Sequence, residues 1–255
     1  MSKSRELANL SGTPTDGNIL LSSTAGDALT AGSGTCNFFA GLNAGGAATT
    51  GDDNVAIGTS AYTAATIGLK NVAIGIGALN GVTTLQADQN IAIGHNALVG
   101  TSATAGDSNI AIGSSAADAL TTASRVIAIG CNAFGVGTTG NDNIAIGLTA
   151  MGGAVVTGAN NIALGNSSAD ALTCGACNVV LGTNALGAST TGCRNIAIGD
   201  LALGCCTLGG NTSQGNYNHA IGASSLSKMT TGAFNVAIGS SAMTESLTGT
   251  YNVAI

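Results

Sequence analysis

Residues 143–147 read Asn-Ile-Ala-Ile-Gly. The same phrase, with Val or Ile in its second place, returns at Asn54, Asn71, Asn90, Asn109, Asn195 and Asn235, with close variants at Asn161, Asn178 and Asn218. Looser copies begin at Asn18, Asn37 and Val126, and another opens at Asn252. Together these make fourteen units at steps of 17, 18 or 19 residues, with one step of 23 between Asn195 and Asn218. A fixed step of this size marks a stacked repeat, in which each unit buries its apolar side against its neighbours. The reading is therefore all-β: a parallel β-solenoid of about fourteen coils, one coil per repeat. At ~4.8 Å per coil, the spacing of strands in a sheet, the stack would be about 65 Å long.

Composition points the same way. A 255-residue globular chain needs aromatic and long aliphatic side chains to fill one core, yet this chain has 3% aromatic residues, no Trp, one Pro and forty Gly. Its hydrophobic content is 45% and only 7% is charged, which is not the pattern of disorder. A narrow coil filled by small residues reconciles the two. The net charge of -6 is thinly spread and offers no basic face, so neither nucleic acid nor an anionic membrane surface is an expected partner. No apolar run approaches the ~20 residues of a membrane helix. The opening Met1 to Leu10 lacks the apolar stretch of a secretory signal. Seven Cys, an odd number in a long repetitive chain, fit reduced thiols better than a disulfide framework. Residues 1–17 are read as a leader or cap and residues 18–255 as the repeat domain, expected to continue past Ile255.

Side chains alternate along a strand, so in each phrase the two β-branched residues share one face while Asn, Ala and Gly share the other. The larger aliphatic residues are expected to fill the lumen. This gives a core column of Ile57, Ile74, Ile93, Ile112, Ile129, Ile146, Leu164, Leu181, Ile198, Ile221 and Ile238. The smooth Ala face, with Ala56, Ala73, Ala92, Ala111 and Ala145, is then the expected oligomer face. Asn54, Asn71, Asn90, Asn109, Asn143, Asn161, Asn178, Asn195 and Asn235 are expected to stack as an amide ladder. A second apolar pair follows each Gly, as in Ala78-Leu79, Ala150-Met151 and Ala185-Leu186, and reads as the other side of the coil. The turns Thr138-Thr139-Gly140, Thr190-Thr191-Gly192 and Thr230-Thr231-Gly232 close it, with Gly expected to supply a positive φ. The extra residues around Cys205 to Gln214 are expected to form a loop that leaves the register on either side unchanged.

On the Asn-(Val/Ile)-Ala-Ile-Gly strand and the Ala-apolar pair, the chain resembles the head repeats of trimeric autotransporter adhesins. Its Thr-Thr-Gly-x-x-Asn-x-Ala-Ile-Gly wording is similar to repeats in tail fibres and other structural proteins of phages and large viruses. The resemblance spans residues 18–255. It implies a left-handed β-roll that assembles as a trimer, belongs to a virion, and presents a rigid multivalent surface to a host receptor, glycan or protein. The longer period and the N-terminus without a secretory signal favour the virion over the bacterial adhesin head, which is the alternative. An ice-binding solenoid, the third reading, needs a flat Thr array, whereas Thr here lies in turns.

Few residues suggest chemistry. Cys174 and Cys177 have metal-ligand spacing, with Cys193, Cys205 and Cys206 nearby, but they fall in a turn without four converging ligands. Asp52, Asp53, Asp88, Asp107 and Asp142 precede the phrase without the nine-residue spacing of calcium-binding β-rolls, and are expected to bond their own backbone. His95 and His219 occupy unrelated slots. No triad, phosphate loop or carboxylate pair assembles, so no catalytic residue, metal site or cofactor is expected.

Overall fold

The structure, a computed structural model, describes residues 16–31, 33–64, 66–81, 87–100, 106–204 and 215–255. These residues form an all-β parallel solenoid, with fourteen short strands and no helix among them. The chain divides into two compact units, Met1–Arg125 and Val126–Ile255. The first holds β1 (Ile19–Leu20), β2 (Phe38–Ala40), β3 (Val55–Ile57), β4 (Val72–Ile74), β5 (Ile91–Ile93) and β6 (Ile110–Ile112). The second holds β7 (Ile127–Ile129), β8 (Ile144–Ile146), β9 (Ile162–Leu164), β10 (Val179–Leu181), β11 (Ile196–Ile198), β12 (His219–Ile221), β13 (Val236–Ile238) and β14 (Val253–Ala254). Most of the expected leader and all of the expected loop at 205–214 lie outside the described residues.

Register holds within each unit. Ile57 pairs with Ile74 and Ile74 with Ile93 in the first, and Ile129 pairs with Ile146 and Ile146 with Leu164 in the second. The 23-residue step is absorbed without a slip, because Ile198 pairs with Ile221. Strands stop after three residues because the Gly that ends each phrase has φ between 126° and 138° from Gly58 to Gly239. That region is closed to residues with a Cβ. Three further corners per coil are left-handed and mostly not Gly. In the coil of β8 they are Asp142, Thr149 and Met151, at φ 57°, 51° and 50°. Gly140, Gly192 and Gly232 do not supply a positive φ, contrary to expectation. At Gly140 the constraint is space, since a Cβ there would lie 2.7 Å from Asn143 Nδ2 and would also meet the carbonyl of Gly158 in the next coil.

The lumen is the reverse of the expected one. Ala56, Ala73, Ala92, Ala111 and Ala145 are fully buried, whereas Ile57 is 38% exposed. Ile74, Ile93, Ile112, Ile129, Ile146, Leu181 and Ile198 are half-buried, and Leu164, Ile221 and Ile238 are exposed. The column assigned to the core therefore lies on the outer face, and the Ala column assigned to an oligomer face lies inside. The cause is width. Each coil also buries an Ala-Leu pair, as at Ala78-Leu79 and Ala185-Leu186, and the strand slot that faces inward is filled by Ala, with Val180 in β10 and Phe39 in β2 its larger occupants. Phe39 shows the same limit from the other side. It stands in the Ala slot of β2, and a Cβ on Gly45, which holds the Leu slot of that coil, would collide with its ring.

The Asn column is buried with the Ala column. Asn54 donates its backbone N–H to Asn37 Oδ1 at 2.9 Å, and its Nδ2 donates to the same oxygen at 3.1 Å and to the Gly68 carbonyl at 2.8 Å. The pattern recurs at Asn178 and at Asn235. Val126 occupies an Asn slot and has no amide. Asn143 Nδ2, in the coil that follows it, donates to the carbonyls of Gly140 at 2.9 Å and Gly158 at 2.8 Å.

Candidate functional site

With Asn and Ala turned inward, each strand sets its other two side chains on the outer face. In the second unit one column runs Ile127, Ile144, Ile162, Val179, Ile196, His219, Val236, Val253. The other runs Ile129, Ile146, Leu164, Leu181, Ile198, Ile221, Ile238. Parallel pairing places equivalent residues side by side, so the face is a two-column aliphatic ladder. His219 is the one ionisable residue on it. The first unit repeats the arrangement, with Val55, Val72, Ile91 and Ile110 beside Ile57, Ile74, Ile93 and Ile112. Contiguous rows of aliphatic side chains on an outer face are a candidate interaction surface.

At the corner before the strands lies a feature the sequence reading missed. Tyr217 and Phe234 stack at 4.8 Å between centroids and 9° between planes, and Phe234 and Tyr251 at 5.0 Å and 4°. The Arg194 guanidinium sits 5.4 Å from the Tyr217 ring centre. All four residues hold the slot just before Asn at successive repeats, a regularity visible in the sequence once that slot is read as a column.

Asp52, Asp88 and Asp107 have a structural task, but not the expected one of bonding their own backbone. Asp52 Oδ1 accepts the N–H of Thr35 at 2.6 Å, Asp88 Oδ1 that of Leu69 at 2.8 Å and Asp107 Oδ1 that of Asp88 at 3.0 Å. Each therefore caps the coil before it. Asn216 Oδ1 and Cys193 Sγ do the same for Cys193 and Ala176. Cys174 and Cys177 are exposed, free thiols. Cys205 and Cys206 lie outside the described residues. Among the described residues no group of three or more His, Cys, Asp or Glu is placed to hold a metal ion. The turn hydroxyls of Thr49, Thr173 and Thr230 donate to carbonyls of the next coil at 3.0, 2.8 and 2.9 Å, which leaves them poorly suited to an ice-matching array.

Two carboxyls are held above the usual range. Burial raises Asp170, opposed by a hydrogen bond from the Gly153 backbone, and its Oδ1 is buried without a partner. Burial also raises Asp118, opposed by Ser115 and by its own backbone. A raised folded-state value means that the folded chain binds the proton more tightly than the unfolded chain. Each group's stabilising contribution is therefore fully present below its unfolded value and is lost as pH rises through the folded value. Asp170→Asn, by removing the buried charge, should raise the melting temperature at pH 7 and leave it nearly unchanged at pH 3. Thermal scans across that range check this, and equal shifts at both pH values would contradict it.

No protein-family model, curated protein or solved structure matches the chain.

Proposed function

We propose that this chain is a structural element of a fibre, in which copies mate through the aliphatic ladder and leave the remaining faces as a rigid, multivalent surface for attachment. The observation that carries the reading is the outward rows of Ile and Val in a chain whose lumen is already filled. Contiguous apolar rows of this kind on an outer face mark contact surfaces between proteins. With 7% charged residues, little repulsion opposes the contact. The occupant is a second copy of the chain, since parallel ladders of one step on every copy match rung for rung. Three copies round one axis, a virion setting and a host-surface receptor come from the resemblance of the repeats to tail-fibre and adhesin sequences.

Sedimentation of the full chain at micromolar concentration is the test. The unaltered chain should form a closed oligomer. Ile146→Glu with Ile198→Glu should sediment as a single chain with unchanged far-ultraviolet dichroism, because both sites face outward. Ala145→Glu, which points into a lumen with no room for it, should instead unfold its coil. An unaltered chain that stays monomeric would overturn the reading.

A further inference from the structure

The aliphatic ladder carries a single interruption, and its chemistry is specific. His219 stands in β12 between Ile196 of β11 and Val236 of β13, in a column otherwise made of Ile and Val across the second unit. The backbone does not require it, because the His219 N–H donates to the Asn235 carbonyl at 2.8 Å as any residue's would. The side chain is half-buried and makes no hydrogen bond to the described residues. Resting on the self-association reading above, we propose that His219 makes that assembly proton-sensitive: copies join through the ladder when the imidazole is neutral and separate when it is protonated.

The physical basis is desolvation. A neutral imidazole is close in volume to the Ile and Val beside it and costs only a neutral N–H and a ring nitrogen to desolvate, whereas an imidazolium loses far more hydration there and gains no partner. The two strands packed against β12 carry no titratable or charged residue. Among the described residues of the coils around it, the charged and titratable groups are Cys193, Arg194, Tyr217 and Tyr251 at the corner before the strands, Asp200 just past β11, and the exposed pair Lys228 and Glu245. Tyr217 is engaged with Phe234 and Arg194, and Glu245 with Lys228 at 2.6 Å. Asp200 alone could offset the charge, from the far end of the neighbouring strand.

If the charged form is excluded from the interface, association weakens as the pH falls from 8 to 5. The experiment is sedimentation of the full chain over that range, in a chelating buffer so that metal bridging cannot mimic association. Expected is an oligomer at pH 8 that dissociates towards pH 5, with His219→Val an oligomer at both and His95→Ala behaving as the unaltered chain. His219→Lys, charged throughout, should be weakened at both. Far-ultraviolet dichroism at pH 5 separates dissociation from unfolding. An unaltered chain that is monomeric at pH 8 removes the self-association reading and this inference with it. An oligomer at pH 8 that persists at pH 5, or a His219→Val chain that still dissociates, overturns the inference alone.

Discussion

Replacing Gly165 by alanine should cost about 2–6 kcal/mol and loosen the coils around it. Two penalties coincide there. At φ 137° a residue with a Cβ is strained, which is worth about 1–3 kcal/mol. The Cβ would also stand 2.5 Å from the carbonyl oxygen of Gly182 and 2.7 Å from its carbon, backbone atoms that the parallel ladder fixes in place. Gly239 separates the two effects, since it has φ 126° but nothing within 4 Å of a Cβ. Gly239→Ala should therefore lose only the first increment, about 1–3 kcal/mol. Chemical denaturation of both variants decides the matter. Equal losses would mean that conformation alone demands these glycines and that the stacking distance does not.

The second large effect concerns the amide column. Asn161 Oδ1 accepts the Asn178 N–H at 3.0 Å and Asn178 Nδ2 at 2.9 Å, while Asn161 Nδ2 serves the Gly175 carbonyl at 2.9 Å. Asn161→Ala leaves these partners buried and short of a bond, each at about 1–3 kcal/mol. A loss of about 3–5 kcal/mol is expected after some of them find substitutes. Asn161→Val should lose less, because Val126 already occupies such a slot and Asn143 takes two carbonyls around it. Denaturant midpoints check both. A loss under about 1 kcal/mol for alanine would reduce the ladder to a by-product of stacking.

Register was fully legible in the sequence, because a period repeated many times leaves one alignment, and the pairing of Ile198 with Ile221 across the long step follows from it. Which face turned inward was not. Alternation says which residues share a side but leaves the choice of side open, and hydrophobicity favours Ile57 over Ala56 for the lumen. The residue that settles it is Asn54. A buried amide ladder must be dry, Asn and Ala share a face, and so Ala goes in with Asn. The expectation set Asn and Ala together on the outer face, where an amide ladder would have been open to water. The closing turn was misread for a related reason. Gly140 looks like a residue needed for its conformation, whereas the left-handed corner falls on Asp142 and Gly140 serves the close approach of Gly158. The aromatic column escaped notice because its members are scattered among Cys, Arg and acidic residues in the same slot.

That column gives the chain an optical signature. There is no Trp, and of three Tyr two belong to the stack of Tyr217, Phe234 and Tyr251. Chromophores held about 5 Å apart with nearly parallel rings couple their transitions. Near-ultraviolet dichroism of the unmodified protein is therefore weighted towards the last three coils. It supplies a label-free view of one end of the second unit, while far-ultraviolet signals average over the whole backbone.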